Sequence, residues 1–189
     1  MRKTIGWLSV LLMPLYLFKP LFLLKEKANS SNNLFGAKLA YRIRQKMGGF
    51  YIGEDAKFFG RPLFPHGYHG IFISGEAVVG EGCVIFQQVT IGSDTLIDSK
   101  KFGAPTIGNN CYIGAGAKII GNICIGANCR IGANAVVYKD VPANSTVVSG
   151  GGMSIITHDF VPDNRFINRR GETLQYWNGA EFAPLEKAE

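Results

Sequence analysis

A chain of 189 residues that is 47% hydrophobic and 18% charged is too apolar for a disordered polypeptide and long enough for one core with extensions. Its net charge of +6 comes from residues 1–50, which hold nine Lys/Arg and one acid, Glu26; the remainder holds 11 Lys/Arg and 13 acids. The body is therefore mildly acidic, no nucleic-acid motif accompanies the basic segment, and a nucleic-acid partner is set aside.

The first 50 residues read as an apolar and basic helical segment. Residues 5–18, IGWLSVLLMPLYLF, are uncharged and too few for a comfortable membrane span. Arg2 and Lys3 precede them, and Lys19, Lys25 and Lys27 follow. Cations on both sides suit an element lying on the cytoplasmic face of a membrane, with Pro14 kinking any helix. The alternatives are a signal peptide, for which no small-x-small cleavage site follows, and a helix packed within an oligomer. After a polar break at residues 29–33, Phe35, Leu39, Ile43 and Met47 recur four apart. That spacing predicts a helix, ended by Gly48-Gly49, whose apolar stripe covers the open end of the domain that follows.

Residues 51–148 form that domain, built on a period of six. IGEDAK and FFGRPL start at Ile52; ISGEAV, VGEGCV, IFQQVT and IGSDTL follow from Ile73; IGNNCY, IGAGAK, IIGNIC, IGANCR, IGANAV and VYKDVP run from Ile107. A break at residues 97–106 interrupts them. Twelve hexads at three per coil predict a parallel β-helix of about four coils. The first position, mostly Ile or Val, packs inward on its equivalent in the next coil. The fifth is confined too, hence Ala77, Cys83, Ala117, Cys129 and Ala135. The second-position Gly is expected to relieve crowding at the turn, where a positive φ is useful. Cys83, Cys111 and Cys129 share one hexad position and no CxxC pair exists, so core thiols are expected and no metal. Residues 149–189 form an extension in which NRRGETLQYWNGAEFAPL predicts a hairpin that caps the last coil or packs on a neighbour.

Two runs carry a resemblance: HGIFISGEAVVGEGCVIFQQVTIGS at 69–93, and PTIGNNCYIGAGAKIIGNICIGANCRIGANAVVYKDVP at 105–142. They resemble serine acetyltransferases and the related sugar or polysaccharide O-acetyltransferases of the hexapeptide-repeat class. The resemblance implies an all-β, left-handed parallel β-helix, a homotrimer with sites between subunits, and direct transfer of acetyl from acetyl-CoA to a hydroxyl with a His as general base. Such a base must titrate near neutrality beside the acceptor hydroxyl, and the thioester makes a protein nucleophile unnecessary. The chain has three histidines, His66, His69 and His158. His66 falls on the family's catalytic position, with His69 as the alternative if an inserted residue lies upstream. By the same resemblance Ala115, Gly116, Ala133 and Lys139 are expected to meet CoA. The loop 97–106, with Lys100 and Lys101, would lie over the site, and Tyr68 would meet the acceptor.

Three positions depart from the serine enzymes. Tyr51 and Pro65 stand where they carry aspartates, and Ala104-Pro105 where they carry His-Pro. With a basic, apolar N-terminus, these departures favour an acetyltransferase for a glycan hydroxyl at the cytoplasmic membrane face. Serine O-acetyltransferase is the alternative, and a non-catalytic β-helix scaffold is the reading from a different class.

Overall fold

The computed structural model describes residues 21–29, 35–170, 173–178 and 181–185. The apolar run 5–18 lies outside the described residues. Among the described residues, helices α1 (Leu21–Asn29) and α2 (Phe35–Gly48) precede seventeen short strands.

Most strands stack into three parallel faces. The first face orders β1 (Tyr51–Ile52), β3 (Phe72–Ile73), β6 (Thr90–Gly92), β9 (Lys118–Ile120) and β12 (Val136–Val137). The second orders β2 (Lys57–Phe58), β4 (Val78–Val79), β7 (Thr106–Ile107) and β10 (Cys124–Ile125). The third orders β5 (Val84–Ile85), β8 (Tyr112–Ile113), β11 (Arg130–Ile131) and β13 (Ser145–Ser149), with β14 (Met153–Thr157) antiparallel on its edge. The chain visits the faces in rotation, so it winds as a coil. Single bridges Leu63↔Val84 and Ile125↔Val141 complete the first and last turns, giving five turns where the hexad count predicts about four. The missed turn closes through Val141 and Val147, where Pro142 and a shortened corner hide the period.

The pairing register locates the insertions. Phe72 pairs with Thr90, eighteen residues on, as three hexads require. Tyr51 pairs with Phe72, twenty-one on, so three residues are added between Leu63 and Phe72. Thr90 pairs with Lys118, twenty-eight on, and the ten added residues follow Gly92. Elsewhere the inward column is regular: Ile73, Ile91 and Ile119 of the first face, and Ile85, Ile113 and Ile131 of the third, are buried, as are Ala77, Cys83, Ala117, Cys129 and Ala135. Each such Ile removes apolar surface worth about 1.5–3 kcal/mol from water.

The second-position glycine relieves crowding, as expected, but without a positive φ. Positive φ occurs at the fourth position instead, at Gly82, Gln88, Asn110, Gly116, Asn128 and Asn134. The second position is small because coils approach closely there: a Cβ on Gly126 would lie 2.3 Å from the Ala143 nitrogen of the next coil.

The cap also differs. Helix α2 buries Gly36, Ala37, Ala40, Tyr41 and Gln45, while Phe35 and Met47 of the expected stripe face out, Met47 at 81% exposure. The coil end presents backbone groups as well as apolar surface, and the buried face answers both. The Tyr41 hydroxyl donates to the Ile52 carbonyl at 2.8 Å, and the Gln45 side-chain oxygen accepts from the Ile52 N–H at 2.7 Å. From α1, Lys25 Nζ donates to the carbonyls of Glu54 and Ala56 at 2.8 and 2.7 Å. An open strand edge is thereby satisfied by side chains.

The extension is a three-stranded antiparallel sheet, β15 (Ile167–Arg170), β16 (Thr173–Trp177) and β17 (Phe182–Pro184), where a hairpin was expected. The chain leading into it runs back along the third face. Arg130 Nε donates to Asn164 Oδ1 at 2.7 Å, and Asn164 Nδ2 donates to the carbonyls of Asn110 and Cys129.

Candidate active site

The three residues added between Leu63 and Phe72 swell the edge where the third face turns into the first. That bulge carries Pro65, His66, Tyr68 and His69. The same edge is formed in later coils by Phe86–Val89, Gly114–Ala117 and Gly132–Ala135, so Gln87, Ala115 and Ala133 occupy the third hexad position one below another. Backbone hydrogen bonds tie the corners together: Gln88 N–H donates to His69 O at 2.9 Å, Gly116 N–H to Gln87 O at 3.0 Å, and Asn134 N–H to Ala115 O at 2.8 Å. One edge therefore holds His66 at its head and Ala115, Gly116 and Ala133 below it. Alanine at two successive outward positions leaves backbone accessible along this edge, as an extended amide-containing chain would need.

The His66 ring is exposed but fixed in orientation. Its Nδ1 lies 2.7 Å from Gln87 Oε1, and its face meets Phe86 edge-on with centroids 5.4 Å apart. Phe86 packs on Tyr112 and on Phe166 of the C-terminal extension. The corner beneath is unusual, because Gln88 adopts φ 61° where other corners use Gly or Asn. A bulky residue in that region is strained and is held by its surroundings. Here the holds are the His69 carbonyl and Lys118, whose Nζ donates to Gln88 O at 2.7 Å.

The other expected residues are distributed differently. His69 is exposed on the same bulge and its carbonyl accepts from Gln88 N–H. Tyr68 turns toward the core, between Phe50 and Phe64 at 5.1 and 4.8 Å. Lys100, Lys101 and Lys139 lie at the edge between the first and second faces, where the ten-residue insertion emerges. The base of that loop is pinned by reciprocal backbone bonds between Asp94 and Gly103, both 2.9 Å. Its Lys101 pairs with Asp140 at 3.3 Å, and Lys139 lies over the Tyr138 ring. Within one chain, then, these lysines and His66 occupy neighbouring edges of the coil. His158, the third histidine, bonds Thr146 Oγ1 through Nε2 at 2.9 Å and lies against Phe160.

Gln87, the hydrogen-bond partner of the His66 ring, is the residue of this edge that sequence reasoning missed, although the pair Gln87-Gln88 in place of the usual Ala/Asn-Gly/Asn corner was visible. Among the described residues no group of three or more His, Cys, Asp or Glu gathers as a metal site, and no helix is long and apolar enough to cross a membrane.

Comparison with known proteins gives the chemistry a context. The bacterial transferase hexapeptide (six repeats) family matches residues 104–139. A serine acetyltransferase of Synechococcus elongatus is 35% identical over 166 residues, covering 80% of this chain and 67% of that protein. One from Helicobacter pylori is 34% identical over 125 residues, 66% of this chain and 71% of that protein. Among solved structures, a serine acetyltransferase in complex with CoA aligns at TM-score 0.60 and 29% identity over 72% of this chain and 54% of that one. The soybean enzyme complexed with serine aligns at TM-score 0.59 and 28% identity over 78% and 57%. The chain thus spans about half the length of the solved structures it matches. These relatives overturn the expectation of a sugar or polysaccharide acceptor and favour its serine alternative. At this identity and coverage, the chain belongs to the serine acetyltransferase family of hexapeptide-repeat acyltransferases.

Proposed function

We propose that the protein is a serine O-acetyltransferase using acetyl-CoA, with His66 as general base. The observation that carries the reading is the single edge on which His66 stands above Ala115, Gly116 and Ala133. The pantetheine of acetyl-CoA runs along that edge and presents its thioester near the imidazole. His66 Nε2 takes the proton of the serine hydroxyl as its oxygen attacks the thioester carbonyl. The C–S bond then breaks and the imidazolium returns its proton to the departing thiolate. The activated thioester makes an acyl-enzyme unnecessary.

Four finer features belong to this reading. The coil is left-handed, as the family resemblance implies. The enzyme is a homotrimer, which supplies what one chain lacks: a neighbour's 97–106 loop, with Lys100 and Lys101, reaches the edge that carries His66. Lys139 meets CoA phosphate on the same principle, and the work is done in the cytoplasm, where acetyl-CoA is available.

The test is product analysis by mass spectrometry after incubation with acetyl-CoA and a panel of acceptors. O-acetylserine is the expected product. A panel in which serine stays unmodified while another hydroxyl is acetylated overturns the acceptor, and a monomer in analytical ultracentrifugation at micromolar concentration overturns the shared site.

A further inference from the structure

We infer that Gln87 is the positioning residue for His66, and that this enzyme orients its base with a neutral carboxamide instead of a carboxylate. The inference rests on the reading of His66 as the base. The hydrogen bond of the ring is from Nδ1 to Gln87 Oε1, at 2.7 Å. The residue at which the resemblance leads one to expect a supporting aspartate is Tyr51, and it stacks on Phe72 at 5.1 Å on the first face, with no part in that bond. Pro65, at the other aspartate position, brings no charge to the ring.

The chemistry follows from the acceptor. A carboxamide oxygen accepts and cannot donate, so Nδ1 must carry the ring hydrogen. The lone pair is then on Nε2, the nitrogen left free to take the hydroxyl proton. The opposite tautomer would place a hydrogen on Nε2 and remove the base. Gln87 thus selects the working tautomer, as a buried aspartate does in other His-dependent enzymes. It differs in charge: when His66 takes up the proton, the imidazolium faces a dipole and not an anion. An anion at this position would instead favour the imidazolium.

The backbone around Gln87 is built to hold this contact. Its carbonyl accepts from Gly116 N–H in the coil below, and the next residue, Gln88, is clamped at φ 61° by His69 O and Lys118 Nζ. Phe86, one residue earlier, meets the His66 ring edge-on at 5.4 Å. Three consecutive residues thus fix the rotation of one imidazole: Phe86 through its ring, Gln87 through its amide, and Gln88 through the strained turn.

The test is 15N NMR of the histidine rings in the full-length, CoA-free protein, with His66 assigned by its loss in His66→Ala. The wild type is expected to show the Nδ1–H tautomer. Gln87→Glu keeps that tautomer and moves both the ring titration and the acid limb of kcat/KM to higher pH. Gln87→Met, of similar length and without the acceptor, yields mixed tautomers. It also lowers kcat on the order of 10- to 100-fold, as loss of an orienting partner typically does, with KM for acetyl-CoA unchanged. An Nε2–H tautomer in the wild type overturns the inference. So does a Gln87→Met enzyme with unchanged tautomer and pH profile. The tautomer is read without any acceptor, so an Nδ1–H ring in a protein that fails to acetylate serine supports the role of Gln87 and rejects the serine reading alone.

Discussion

The Lys101 ammonium lies 3.3 Å from the Asp140 carboxylate, thirty-nine residues further along the chain, so the inserted loop is folded onto the last coils. Asp140 also accepts from Cys124 N–H at 3.0 Å, and these two donors, the backbone one first, hold its carboxyl below the ordinary aspartate range. A carboxyl lowered in the folded protein contributes its anchoring above the unfolded pKa of about 3.9 and loses it as pH falls through the lower folded value. The loop should accordingly stay docked through pH 5 and release only in stronger acid. Chemical shifts of loop amides against pH check this, and Asp140→Asn should abolish the dependence.

Replacing His66 by Ala should lower kcat by about 10²–10⁴, the usual contribution of a general base. CoA affinity should be unaffected, because the residues proposed to meet it lie in lower coils. His69→Ala should keep most activity, since that residue serves the corner through its backbone carbonyl. Steady-state thiol release and calorimetric CoA titration separate the two; loss confined to His69→Ala would transfer the base to that residue.

Tyr41 is completely buried, and its hydroxyl bonds the Ile52 carbonyl at the end of the coil. Burial pushes its phenol well above the usual range, so it remains a donor at any working pH. Tyr41→Phe leaves that carbonyl unsatisfied and should cost about 1–3 kcal/mol. Urea unfolding measures it, with the loss expected in the midpoint and not the slope.

Gly116 combines φ +72° with a neighbour: an added Cβ would lie 2.1 Å from Asn134 Oδ1. Gly116→Ala should destabilise the coil by about 1–3 kcal/mol through the strained φ and should also weaken CoA binding on that edge. Asn134→Gly in the same chain should relieve the clash and leave the φ cost, so the double variant should recover part of the stability lost.

The period of six was legible because inward Ile and Val recur wherever the coil is regular, and the parallel faces follow from it. The fifth turn was hidden because Pro142 and a shortened corner break the spacing before Val147. The orientation of α2 was misread for a physical reason: its spacing showed an apolar stripe, but the coil end it covers needed the hydroxyl of Tyr41 and the amide of Gln45. His66 was named from resemblance, whereas the contact it makes with Gln87 was not legible. Gln87 lies twenty-one residues away and meets it only because three extra residues widen the corner above. The acceptor was read from three departures, Tyr51, Pro65 and Ala104, which weighed less than similarity across most of the chain to serine acetyltransferases.

The most direct measurement of the central claim is the rate of CoA release from acetyl-CoA as serine is raised, in the wild type and in His66→Ala. Saturable, serine-dependent release is expected in the wild type and a loss of about 10²–10⁴ in kcat in the variant, with O-acetylserine formed in equal amount to CoA. Release that does not depend on serine, or equal rates in the two proteins, would contradict the claim.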